Sequence, residues 1–196
     1  SVGRNLALLA RQQRWEVSGL ALPDEDVGSL NKAGVRIFTG RIENEELLGR
    51  VTAGATHVVH CAALLPDSNH LGRSVFKRVN VDGVRTMCRL ASHAGWHRIV
   101  FLSTVGVLDR EATGPSTDDT PYRKPFDHYT WSKIEAEKAI QIETEKSGIP
   151  SLILRPANIY GEGMSFKWPE VFGLVQAGKM RTVGDGNVPF SLIHVD

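Results

Sequence analysis

The feature that most constrains this chain is a repeated switch of hydrophobic period. Short apolar runs (WEVSGLAL, VRIF, THVVHCAALL, HRIVFLS, PSLILR) alternate with segments whose apolar residues recur every three or four positions. NLALLARQQ places Leu6, Leu9 and Ala10 on one side of a helix, DEDVGSLNKAG reads as a helix that stops at Gly34, and NEELLGRVTAG as another. Longer helices are expected over residues 73–94, where Phe76, Val79, Val84, Met87 and Cys88 keep the helical interval, and over residues 129–146. DREATGPSTDDTPYRKP is polar and full of turn formers, so it reads as a loop. Strands of nearly continuous Val, Ile and Leu are expected to be buried on both faces. Their alternation with helices predicts an α/β fold with a doubly wound parallel sheet. Such sheets bind ligands beyond the carboxyl ends of their strands, so functional residues should follow LAL, CAA, FLS and LRP.

The bulk properties narrow the function by exclusion. A net charge of +1 with no basic run gives no reason to expect nucleic acid or an anionic membrane surface. No apolar run approaches the length of a transmembrane helix. Cys61 and Cys88 both sit in apolar segments and read as buried thiols of a reducing compartment, which points to the cytoplasm. His57, His60 and Cys61 alternate faces of one strand and no second cluster accompanies them, so no metal is expected. His194 and Asp196 resemble an acid/base pair but read better as a strand end with a structural histidine.

The first residues to suggest chemistry are in YTWSK. Tyr129 and Lys133 lie four apart, on one helix face and one turn from each other. A phenol with a pKa near ~10 is a poor base at neutral pH. A neighbouring ammonium favours the phenolate, so Lys133 is expected to lower the Tyr129 pKa and let it exchange a proton with an alcohol or carbonyl. The spacing also fits an ordinary helix, and the surrounding sequence decides between the two. Upstream, VFLSTVGVLD puts Ser103 and Thr104 at a strand's carboxyl end, where a hydroxyl can orient a substrate oxygen toward the tyrosine.

With these residues together the chain resembles the extended short-chain dehydrogenases/reductases, the group that includes the NAD-dependent epimerases and dehydratases. The likeness runs through six ordered segments covering nearly the whole chain: HVVHCAALL, VNVDGVRTM, VFLST, YTWSK, LRPANIYGEG and SLIHVD. Val84 stands where the family usually has Thr, and Thr104 takes the second hydroxyl position. The resemblance implies a Rossmann-type NAD(P)-binding fold over residues 1–160 and the beginning of a smaller substrate-binding lobe over 161–196. It implies an NAD(P)-dependent oxidoreductase in which Tyr129 is the general acid/base, Lys133 holds the nicotinamide ribose, and Thr104 orients the reacting oxygen. Cys61, Ala62, Ala63 and Leu64 would line the cofactor, with Ile42, Ser103 and Pro156 also beside it. Asn80 would support the loop beneath, and Leu65 and Asn158 would face the substrate. The long helices 73–94 and 129–146 would also form a homodimer interface.

Residues in three segments bear on specificity. After the second strand of such a fold comes LALPDED, where Leu22 occupies the site of a 2′-phosphate-binding cation. Asp24 either accepts a ribose hydroxyl, favouring NAD, or caps the next helix. Arg41 replaces the family's adenine-binding Asp and could stack on adenine or reach the 2′-phosphate of NADP, so NADP stays open beside NAD. Phe190 and Ser191 replace the Arg-Asp that grips a sugar nucleotide's diphosphate, which favours a less charged alcohol or ketone as substrate. A nucleotide-sugar epimerase or dehydratase is the rival, followed by a cofactor-binding regulator without turnover, which would not need the Tyr129–Lys133 pair. The opening SVGRNLALL fits the end of a Gly-x-x-Gly-x-x-Gly turn, with Gly3 as its last glycine at a helix N-terminus suited to a pyrophosphate. On that reading the chain lacks the fold's first strand and should by itself bind dinucleotide poorly.

Overall fold

The computed structural model describes residues 2–109, 115–163, 168–182, 184–187 and 191–196. The elements alternate as the periodicity requires: α1 (Val2–Gln12), β1 (Ser18–Ala21), α2 (Gly28–Lys32), β2 (Arg36–Thr39), α3 (Glu45–Val51) and β3 (His57–His60). A 3-10 turn over Pro66–Leu71 leads into α4 (Arg73–Phe76), a π-helical segment over Lys77–Asp82, and α5 (Gly83–Ala94). Then come β4 (Arg98–Leu102), α6 (His128–Ser147), β5 (Ser151–Leu154), β6 (Asn158–Tyr160), α7 (Trp168–Gln176) and β7 (Leu192–His194).

Every strand pairing between these elements is parallel. The strands form three ladders, β1–β2, β3–β4–β5 and β6–β7. In the central ladder His60 faces Phe101, and Leu102 faces Leu154, so the carboxyl ends of β3, β4 and β5 lie side by side. On one face of that ladder α5 and α6 close the main core of Val84, Met87, Cys88, Ala91, Trp96, Ile99, Phe101, Ala136 and Ile140. Burial of these side chains at about 25 cal/mol per Å² is the main force holding the two helices to the sheet. A second cluster of Val107, Leu108 and Ile134 packs against Tyr122 near the start of α6.

The fold departs from the sequence reading in three places. The strands are not buried on both faces, because Val59, Leu152 and Leu154 are each more than 40% exposed. The side of α1 carrying Leu6 and Leu9 is likewise open, with no buried residue in that helix. The helix expected over 73–94 is interrupted by the π segment, whose extra residue per turn shifts the helical face at Asn80.

Candidate active site

The first turn of α6 is fixed from two directions. Asp127 is its N-cap, with Oδ1 accepting from the Thr130 N–H at 2.7 Å. Asn69, from the 3-10 turn after β3, donates to Asp127 Oδ2 at 3.2 Å and accepts from the Tyr129 N–H at 3.2 Å. One side chain thus ties the loop beyond β3 to the backbone of Tyr129. Behind it, Ser132 Oγ donates to the Tyr129 carbonyl at 2.8 Å and accepts from Asn80 Nδ2 at 2.8 Å.

Asn80 also clasps the loop that follows β3. Its Oδ1 accepts from Leu64 N–H at 2.7 Å, and its Nδ2 donates to the Leu64 carbonyl at 3.1 Å. The π segment sets this buried side chain between α6 and the Cys61–Leu65 loop. Ala62 and Ala63 leave that loop's backbone open to close approach.

Thr104 follows β4 in extended conformation, and its Oγ1 accepts from Gly106 N–H at 3.1 Å, opening a 3-10 turn. Its side chain lies near the Tyr129 phenol and favours the ionised form of that group. Burial, and then the Asp127 carboxylate, push the Tyr129 pKa up to about 12, against the pull of Thr104. This corrects the expectation that Lys133 would lower it. The Lys133 ammonium is directed to the Leu102 carbonyl at 2.6 Å and lies over the Phe101 ring at 4.4 Å. Burial pulls the Lys133 pKa down to about 8, opposed by Glu137 and Cys61. At neutral pH Tyr129 is a phenol that can donate a proton, and Thr104 is the group beside it that can share an oxygen.

The surroundings fit a dinucleotide. At the start of α1, a Cβ added at Gly3 would come within 3.3 Å of the Cys61 Cβ, so helix N-terminus and loop are packed as closely as backbone allows. Ser103 is buried and its hydroxyl has no hydrogen-bonding partner, leaving a polar atom to be met. The Pro156 carbonyl accepts from Val105 N–H at 3.0 Å. A mostly apolar cleft of about 310 Å³ is lined by Val2, Leu102, Leu154, Arg155 and Pro156 among others. An apolar slot of this kind suits a flat ring.

Other expected residues lie apart from this cluster. Asp24 sits in the turn after β1 and does not cap α2; the nearby backbone contact belongs to Asp26, whose Oδ1 accepts from Gly28 N–H at 2.9 Å. Arg41 is exposed just beyond β2, while the Ile42 side chain is buried and packs where a Gly83 side chain would otherwise stand. Asn158 uses its amide on the Ser191 carbonyl at 3.3 Å, which holds β6 to β7 rather than leaving that donor for a substrate. Leu65 is exposed at the start of the 3-10 turn. Phe190 lies outside the described residues. His194 and Asp196 do meet, at 3.4 Å, on the exposed end of β7. His57 contacts the rings of Trp15 and His97 while His60 turns to Phe101, and among the described residues no cluster of His, Cys, Asp and Glu could hold a metal. The sequence reading missed Asn69, and it missed Glu137 as the buried partner of Arg155. A Glu four residues after Lys133 on the same helix face was the available signal.

Comparison with known proteins identifies the family and the fold. The family model for the NAD dependent epimerase/dehydratase family matches residues 1–196, and the chain belongs to that family. Sterol-4-alpha-carboxylate 3-dehydrogenase, decarboxylating, of Mus musculus is 30% identical over 166 residues, covering 82% of this chain and 45% of the relative. The chain thus spans about half the length of this curated relative. A UDP-glucose 4-epimerase of Thermotoga maritima, solved with UDP-glucose, superposes with a TM-score of 0.85 at 20% identity, over 100% of this chain and 66% of that one. The dTDP-glucose 4,6-dehydratase DesIV of Streptomyces venezuelae, with NAD and TYD bound, gives 0.78 at 26% identity, over 99% and 64%. The likeness to these structures identifies the Rossmann-type fold.

Proposed function

We propose that the protein containing this chain is an NAD(P)-dependent oxidoreductase that interconverts a secondary alcohol and a ketone, with Thr104, Tyr129 and Lys133 as its working site. The observation that carries the reading is the placement of Tyr129 and Lys133 one turn apart on α6, with Lys133 held at the Leu102 carbonyl at the carboxyl end of β4, where Thr104 follows. Tyr129 donates its phenolic proton to the carbonyl oxygen in reduction and takes it back from the alcohol in oxidation. Thr104 shares that oxygen and fixes its approach, and Lys133 meets the ribose. The bound nicotinamide supplies or accepts the hydride. Gly3, Cys61–Leu64, Ser103 and Pro156 hold the dinucleotide, with Asn80 bracing their loop, and Asp24 and Arg41 stand toward its adenosine end. NAD is the preferred cofactor.

An alcohol or ketone of low charge is favoured as substrate because Phe190 and Ser191 stand where a diphosphate-gripping Arg-Asp is expected, and the sterol dehydrogenase relative supports the choice. The second reading, a nucleotide-sugar epimerase or dehydratase, is supported by the DesIV likeness, in which TYD is bound beside NAD. Residues 1–160 serve as the dinucleotide-binding domain, and 161–196 begin the substrate lobe. The protein acts in the cytoplasm, as a homodimer through the helical stretches 73–94 and 129–146. The family resemblance and the two apolar-segment cysteines support these assignments. Among the described residues, no helix is long and apolar enough to cross a membrane. The test is turnover of a panel of sterols, simple ketones and sugar nucleotides by the intact protein with NADH and NADPH. Activity on sterols or ketones supports the first reading, and activity on sugar nucleotides alone overturns it for the second.

A further inference from the structure

The Tyr122–Glu137–Arg155 cluster lies beneath the site and takes no part in the proton transfer described above. Glu137 is completely buried, one turn after Lys133 on α6. Its carboxylate accepts from Arg155 Nη2 at 2.8 Å and from Arg155 Nε at 3.1 and 3.2 Å, and Tyr122 Oη donates to it at 2.9 Å. Arg155 is the residue after β5 and precedes Pro156, whose carbonyl receives the Val105 N–H next to Thr104. Tyr122 pairs with Leu108 in the strap that covers Val107 and Ile134. Three segments that bear on the site therefore converge on one carboxylate.

We propose that Glu137 is a positioning residue that supplies the counter-charge for Lys133 and, through Arg155, ties the Thr104–Pro156 side of the site to the same turn of α6. The idea rests on the reading of Thr104, Tyr129 and Lys133 as a proton-transfer site. A buried carboxylate is stable only when paired, and a bidentate arginine with a phenol donor satisfies it in a fixed geometry. Its charge is felt by Lys133, where it opposes the effect of burial. The other groups facing Lys133 are Cys61 and His60 from the end of β3. Those around Glu137 are Arg155, Tyr122 and Lys133, with Lys138 over the Tyr122 ring at 5.9 Å.

The test is the titration of the Lys133 amine, followed by NMR of lysine-labelled intact protein without ligand and assigned by loss of the signal in Lys133→Met. In Glu137→Gln the Lys133 midpoint should fall by about one pH unit, and kcat should drop about tenfold with little change in KM. A merely structural role would loosen the packing and move the midpoint up toward the ordinary lysine value. The double variant Glu137→Gln/Arg155→Met removes opposite charges together, an exchange buried pairs commonly tolerate, and the fall there should be smaller than in Glu137→Gln alone. An unchanged or raised midpoint in folded Glu137→Gln overturns the proposal, whatever the turnover. A lowered midpoint in a protein that turns over no alcohol or ketone upholds the coupling and rejects the oxidoreductase reading instead.

Discussion

His60 should make the folded protein acid-sensitive. It ends β3 only 5% exposed, with its ring edge-on to Phe101 at 5.5 Å, and neither ring nitrogen has a hydrogen-bonding partner beyond its own backbone. Burial first, and then the Lys133 charge, lower its pKa from 6.5 to about 4. Between those values the unfolded chain carries a proton that the folded chain does not. Stability from this residue is therefore complete above about 6.5 and is lost as pH falls toward about 4. At about 1.4 kcal/mol per pH unit, the loss is about 3 kcal/mol. His60→Leu removes the titration while keeping the space apolar. Urea unfolding followed by tryptophan fluorescence, at pH values from about 7 to about 4, should show the variant gaining on the wild type by about 3 kcal/mol. Taking the difference between the two proteins cancels the carboxylates common to both. Curves that run parallel across the window would refute the reasoning, because the imidazole would then be solvated or paired when charged.

Other consequences follow from the same geometry. Asn80→Ala removes the two-point hold on Leu64 and the bond to Ser132, so it should cost about 2–4 kcal/mol and weaken dinucleotide binding, measured by thermal unfolding and calorimetric titration. Gly3→Val would force the α1 terminus and Cys61 apart, since even an added Cβ would meet the Cys61 Cβ at 3.3 Å, and should lower dinucleotide affinity in a calorimetric titration. For Lys133, whose folded pKa is lowered to about 8, the unfolded chain holds more protons above that value. The wild type should therefore gain stability relative to Lys133→Met as pH rises from about 8 to about 10.5, again by about 3 kcal/mol in paired urea titrations.

The alternation of strands and helices was legible because each change of hydrophobic period maps directly onto backbone geometry. Tyr129, Lys133, Thr104 and Asn80 were singled out from spacing and family motifs; in the fold Lys133 reaches the Leu102 carbonyl and Asn80 holds Leu64 and Ser132. The π segment at Lys77–Asp82 was not, since one extra residue in a turn leaves the apolar interval of 73–94 almost unchanged. The charge state of Tyr129 was also hidden. Four-residue spacing tells that an ammonium is near, but not that it is directed to the Leu102 carbonyl while the phenol is pressed into an apolar site beside Asp127. The Glu137–Arg155 bond joins residues 18 apart in the chain, and only the folded crossing of α6 with the end of β5 brings them together.

The central claim is that Tyr129 moves the proton. It is tested most directly by single-turnover hydride transfer in Tyr129→Phe, using the intact protein and a substrate identified from the panel, with cofactor binding checked by fluorescence. The expected result is a rate lower by about 100-fold or more with dinucleotide affinity retained. An unchanged rate in a variant that still binds the cofactor would contradict the assignment.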